Sequence, residues 1–231
     1  MVIKGKIVLV TGANGGLGRD VTQAMLDAGA TVVGTSRKIQ ASEFNSSAFN
    51  ALPGELSTPA GAQSVVDFVV SKFGRLDVLA HTVGGFAGGS SIAETDDATF
   101  QRMMDLNLNC TFYLLRAAIP VMRKTRNGRI IAIGSRAAVD PGVGFGAYSA
   151  SKAAMVSLIR TVALENRDSG LTANVILPGT MDTPANRKAM PTSDVNKWVQ
   201  PTNVADLITW LAGEAGKDVN GAVLPVYGSD V

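Results

Sequence analysis

Tyr148 and Lys152 stand four residues apart in Tyr148-Ser149-Ala150-Ser151-Lys152, within a stretch that reads as helix. At that spacing both side chains project from one face, about one turn apart. A free phenol holds its proton until about pH 10, and an ammonium one turn away favours the phenolate. The pair therefore predicts a general acid/base that works closer to neutrality. Thirteen positions upstream lies Ser135, just after the apolar run Arg129-Ile130-Ile131-Ala132-Ile133, where a strand end would hold a hydroxyl toward the same cleft. Three groups then converge on one substrate oxygen. Tyr and Lys also occur at this spacing on ordinary surface helices, so the reading depends on the other end of the chain.

There, Thr11-Gly12-Ala13-Asn14-Gly15-Gly16-Leu17-Gly18 follows an apolar run and opens a helical pattern. Glycines let a backbone turn sharply and approach a ligand without a side chain in the way. The unpaired amides of the following helix point at the same spot and suit a pyrophosphate. A tight connection without ligand is the competing reading of an isolated glycine turn. This one opens a βαβ unit, the context that dinucleotide binding requires.

The elements that must position these groups alternate along the chain. Strands are expected at Ile7 to Thr11, Thr31 to Thr35, Val78 to His81, Arg129 to Gly134, Thr172 to Leu177 and Val223 to Val226. Helices are expected at Gly16 to Asp27, Ala60 to Phe73, Asp97 to Lys124, Ala147 to Asp168 and Val204 to Gly213. The segment Ile39 to Thr58 is polar and irregular, with room for a short strand ending near Glu55. Short β-branched runs between longer amphipathic stretches predict an α/β fold, a Rossmann-type doubly wound parallel sheet with helices on both faces. We read residues 1–231 as a single domain, with a small substrate-loop region at about 183–200.

Gly12, Gly16 and Gly18 are spaced as Thr-Gly-x-x-x-Gly-x-Gly, and this resembles the short-chain dehydrogenase/reductase family. That family's Tyr-x-x-x-Lys matches Tyr148 and Lys152, its serine matches Ser135, and its helix asparagine matches Asn107. Its Pro-Gly segment matches Pro178 and Gly179, with Thr183 where the family bonds the nicotinamide carboxamide. The resemblance spans nearly the whole chain. It implies an oxidoreductase in which Tyr148 is the acid/base, Ser135 holds the carbonyl oxygen, Lys152 assists Tyr148 and binds the nicotinamide ribose, and Asn107 carries a water linking Lys152 to solvent. It implies cofactor contacts at Gly12, Asn14, Gly15, Gly16, Leu17 and Gly18. Further contacts fall at Ser36, Arg37, Glu55, Leu56, Thr82, Val83, Gly84, Tyr148, Lys152, Pro178, Gly179 and Thr183. Two places depart from the pattern. His81-Thr82-Val83-Gly84 replaces Asn-Asn-Ala-Gly, so the contacts that steady the sheet's centre must differ, and Glu55 takes the place of an aspartate facing the adenine.

An acidic residue after the second strand would bond the ribose hydroxyls of NAD and repel the extra phosphate of NADP. This chain has Thr35-Ser36-Arg37, whose guanidinium suits a ribose phosphate, so NADP is expected, with NAD possible. The substrate is expected to be a small carbonyl or alcohol, 3-oxoacyl thioesters and ketones included. The segments Val83 to Gly89 and Asp182 to Pro191, with Trp198, resemble dihydropteridine reductases, which leaves a quinonoid pterin reductase as the alternative. Arg37 and Ser135 count against it. A nicotinamide-binding regulator without activity is the alternative of another class, opposed by intact Ser135, Tyr148 and Lys152.

Bulk properties narrow the field. With 21 basic and 19 acidic residues interspersed, the formal charge of +2 offers no stripe for nucleic acid or an anionic membrane. The single cysteine, Cys110, cannot form an internal disulfide and is read as packing, which fits a reducing cytoplasmic compartment. One histidine, His81, excludes a multi-histidine metal site, and no metal is expected. Met1 to Val10 is too short and too charged for a signal or a span. Two long helices carry more apolar surface than one sheet face needs, which predicts a homodimer or homotetramer.

Overall fold

Strands that are apolar at every position must be covered on both faces, because water on either side would meet exposed Val, Ile and Leu. In the computed structural model, which describes residues 3–229, seven strands form one parallel sheet, the central ones buried along their whole length. They are β1 (Ile7–Thr11), β2 (Thr31–Ser36), β3 (Phe49–Pro53), β4 (Val78–His81), β5 (Arg129–Ile133), β6 (Thr172–Pro178) and β7 (Val223–Val226), in the order β3-β2-β1-β4-β5-β6-β7. Residues 1, 2, 230 and 231 of the expected domain lie outside the described residues. The order reverses between β1 and β4, so a crevice opens beyond their carboxyl ends.

The helices are α1 (Gly18–Asp27), α2 (Pro59–Phe73), α3 (Asp97–Met104), α4 (Cys110–Thr125), α5 (Gly146–Glu165), α6 (Pro184–Ala189) and α7 (Pro201–Ala212). Side chains alternate along each strand. Val8, Val10 and Ile131 pack with Val21 and Met25 of α1 and Val204 and Ile208 of α7. Leu9, Leu79 and Ile130 pack with Val66 of α2, Leu114 of α4 and Ile159 of α5. The sheet is thus the middle of three layers.

Several boundaries differ from expectation. α1 begins at Gly18, not Gly16, because the glycine turn first closes on itself through Gly15 N to Gly12 O at 2.8 Å. α7 begins three residues early, since Pro201 suits a first helical turn. β3 lies inside the polar segment and ends at Pro53; only Phe49 of its residues is buried, so apolar patterning hides it. The expected helix Asp97 to Lys124 is interrupted by a π turn over Asp105–Asn109, in which the Cys110 amide bonds the Asp105 carbonyl five residues back. The expected helix ending at Asp168 stops at Glu165, and a short 3-10 turn follows.

Candidate active site

The glycine turn joins β1 to α1 as a close-packed corner. Gly12 adopts φ +66°, a region that glycine tolerates best, and its amide donates to Thr35 O at 2.7 Å. A Cβ on Gly18 would overlap the Gly12 carbonyl, and one on Gly16 would press against Thr183 at 3.0 Å. No side chain caps the first turn of α1, which leaves its amides for a ligand. Thr183 itself caps α6 by accepting from Asn186 N at 3.3 Å, so the segment after β6 is folded back onto the glycine turn. Pro178 closes β6, and the Gly179 amide donates to Val226 O at 2.9 Å. Leu17 is buried in the core beneath the turn.

Ser135 follows β5 and Tyr148 lies in the first turn of α5. The Ser135 hydroxyl lies close enough to the phenol to act on its proton affinity. Lys152, one turn further along α5, is only 4% exposed and donates from Nζ to Ile133 O at 2.8 Å. Serine, phenol and ammonium are therefore gathered at one strand end, as their spacing predicts. The electrostatic balance is different from the one expected. Burial pushes the Tyr148 phenol up, the Ser135 hydroxyl pulls it down, and Lys152 does not figure among the causes. Burial lowers the Lys152 ammonium to about 8, with Cys110 nearby opposing that shift.

Asn107 sits in the π turn and is fully buried. Its Oδ1 accepts from Gly85 N at 2.9 Å, and its Nδ2 donates to Gly85 O and to Ser151 Oγ, each at 3.0 Å. Those bonds tie the loop after β4 to α5. A Cβ on Gly84 would lie 2.9 Å from Asn107 Oδ1 and 3.0 Å from Lys152 Nζ, so Gly84 lets the loop pass close to both.

His81, the departure at the end of β4, organises the centre of the sheet. Thr111 Oγ1 donates to the Asn107 carbonyl at 2.7 Å, so it accepts from His81 Nε2 at 2.9 Å. Thr11 Oγ1 accepts from the amides of Thr82 at 3.2 Å and Val83 at 3.4 Å, so its proton goes to His81 Nδ1 at 2.9 Å. The chain of bonds fits neutral imidazole with the proton on Nε2. Burial, with Lys152 adding, holds the ring's pKa at about 3. Spacing does not reveal this network, since its partners lie 30 and 70 residues away from His81.

Around the β2 end, the Ser36 Oγ is buried without a protein partner, and Arg37 beside it is exposed. Glu55 is exposed, and its carboxylate folds back to accept from the amides of Leu56 at 3.0 Å and Ser57 at 3.1 Å. Those amides hold it below the usual carboxylate range, with Arg37 contributing. Leu56 is buried in the core. The Asn14 amide donates to Glu43 at 3.0 Å, and Glu43 also pairs with Arg19 at 2.6 Å. Glu43 and Arg19 are neighbours of the turn that motif spacing misses. Trp198 is buried and anchors the segment after β6, whose strand-like bridge joins Met181 to Val199. Among the described residues, no three His, Cys, Asp or Glu side chains gather to hold a metal ion.

Comparison with known proteins bears on this arrangement. Residues 6–194 match the short chain dehydrogenase family. The chain is 28% identical to the 7alpha-hydroxysteroid dehydrogenase of Escherichia coli K12, covering 99% of this chain and 95% of that protein. It is also 28% identical to the 3-oxoacyl-[acyl-carrier-protein] reductase FabG of the same organism, covering 99% and 98%. Among solved structures, ElxO with NADP bound superimposes with a TM-score of 0.91 at 25% identity, covering 97% of this chain and 98% of that one.

Proposed function

Because the chain belongs to the short chain dehydrogenase family, we propose that it reduces a carbonyl substrate at the crevice beyond β1, β4 and β5, with NADPH as its cofactor. It is an NAD(P)-dependent oxidoreductase. One observation supports the assignment of residues: Ser135, Tyr148 and buried Lys152 gather at the end of β5, separated from the glycine turn at the end of β1 only by β4.

The residues present fit a dinucleotide. The turn has the closeness that only glycine allows, α1 lacks a side-chain cap, and an unpartnered Ser36 hydroxyl stands beside exposed Arg37. Gly12, Asn14, Gly15, Gly16, Leu17 and Gly18 would hold the pyrophosphate. Ser36 and Arg37 would hold a ribose phosphate, and Glu55 and Leu56 would lie at the adenine. Thr82, Val83, Gly84, Pro178, Gly179 and Thr183 would line the nicotinamide half. When bound, the cofactor supplies hydride.

Tyr148 passes the proton to the substrate oxygen, and Ser135 donates a hydrogen bond to the same atom as charge grows there. Lys152 contributes positive charge and would bind the nicotinamide ribose of the bound cofactor. Asn107 acts chiefly by holding Gly85 and Ser151 in place, since its amide hydrogens are taken up by these partners and leave little for a bound water. The loss of the phenolic oxygen in Tyr148→Phe should lower turnover by about a hundredfold to ten-thousandfold while NADPH still binds. Retention of most of the rate would refute the assignment.

The NADP-bound neighbour supports the cofactor choice. Arg37→Ala should weaken NADPH by about tenfold and NADH hardly at all, because only NADPH offers the guanidinium a phosphate. Equal losses in titrations with the two cofactors would contradict that preference. The hydroxysteroid and oxoacyl relatives point to ketones and thioesters as the substrate class, ahead of quinonoid pterins. Exposed Phe100, Leu106, Phe112 and Leu164 on the α3–α4 unit and α5 support a homodimer or homotetramer. No helix among the described residues is long and apolar enough to cross a membrane. With a lone buried thiol, a cytoplasmic site is the reading we favour.

A further inference from the structure

Phe86 is held edge-on between two other rings. Its centroid lies 5.0 Å from that of Tyr148 at 78°, and 5.1 Å from that of Phe145 at 88°. Despite these contacts the side chain remains 58% exposed, directly beside the phenol assigned to proton transfer. Ile92, Val139 and Val143 on nearby segments of the chain are exposed too.

The ring is fixed in place by its loop. Gly85 passes so close to Leu106 that a Cβ would lie 2.6 Å from it, and a Cβ on Gly88 would lie 2.7 Å from Phe145 and 2.9 Å from Phe86. The Gly89 amide donates to Gly144 O at 3.0 Å, which ties this loop to the segment carrying Phe145. Arg136, the cation of the turn after Ser135, is engaged with Asp140 at 2.8 Å and lies over the Tyr227 ring at 5.1 Å.

We infer that Phe86 determines specificity by stacking with a flat ring bonded directly to the reacting carbonyl, so that the preferred substrates are aryl or fused-ring ketones rather than flexible acyl chains. A rigid ring loses less conformational freedom on binding than an alkyl chain and gains an aromatic contact with a platform that is already ordered. The inference rests on the carbonyl-reductase reading and narrows its substrate class.

Two diketones with nine carbons each, 1-phenyl-1,2-propanedione and 2,3-nonanedione, separate ring from chain. With NADPH, the wild type should favour the phenyl compound in kcat/KM by about tenfold, the upper end of what an aromatic pair contributes. Phe86→Leu should erase most of that ratio and Phe86→Trp should restore it. A ratio near one in the wild type, or one that Phe86→Leu leaves intact, overturns the inference. Calorimetry on the NADP-bound Tyr148→Phe variant, which keeps the ring that Phe86 packs against, gives a readout without turnover. Tighter binding of the phenyl compound there, lost on adding Phe86→Leu, supports stacking even if neither diketone is reduced, and in that case the carbonyl-reductase reading alone fails. Equal binding of the two compounds overturns stacking whatever the rates show.

Discussion

At the scale of single residues, His81 shows how a side chain can serve a site without facing it. The imidazole is neutral inside the protein and titrates at about 3, whereas in an unfolded chain it titrates near 6.5. Between those values the unfolded state binds a proton that the folded state refuses, so stability falls as pH drops below 6.5 and is fully present above it. The slope from this one group approaches about 1.4 kcal/mol per pH unit. Urea unfolding of the wild type and of His81→Asn between pH 7 and pH 5 should show a shallower pH dependence in the variant. Identical slopes would mean that His81 takes up its proton while folded. Tyr148, Lys152 and Ser135 are legible in the chain because spacing on one helix, and position after one strand, are local properties. The role of His81 is not, because it depends on Thr11 and Thr111, which only the folded sheet brings together.

At the scale of elements, the glycine turn is legible in the sequence as a tight strand-to-helix connection, but its rigidity appears only in three dimensions. Gly18 meets the Gly12 carbonyl so closely that Gly18→Ala must push β1 and α1 apart. Overpacking of this kind costs about 1–3 kcal/mol. Both the thermal midpoint and NADPH affinity should fall in that variant, and unchanged affinity would argue that the ligand does not sit on the turn. Helices with strong apolar periodicity, such as α2 and α4, are legible for the same reason that they pack. β3 and α6 are not: β3 buries only Phe49, and α6 is a six-residue helix defined by its Thr183 cap and Pro184. The π turn is likewise invisible to periodicity, since inserting one extra residue in a turn leaves both flanking helices apolar on their usual faces.

For the whole molecule, the open question is what covers the outer surfaces of α3, α4 and α5. Phe112 is exposed, its ring lies beside Tyr113, and Arg116 stands over both. Phe100, Leu106 and Leu164 extend the apolar character. Light scattering should give a mass of two or four chains for the wild type. Phe112→Glu should shift it toward the monomer, and a monomeric wild type would remove the basis for association. The layered α/β architecture and its three-layer packing follow from alternating patterns that the chain displays openly, whereas an interface depends on a second copy whose surface no single chain describes.

Cys110 closes the π turn, buried, with its sulfur donating to Leu106 O at 2.8 Å and its thiol pushed up to about 11. Because the thiolate is the reactive form, alkylating reagents are kept from it until that segment loosens. As the only sulfhydryl in the chain, it can serve as an internal clock: the rate at which maleimide labels the native protein would time the breathing of the very turn that carries Asn107.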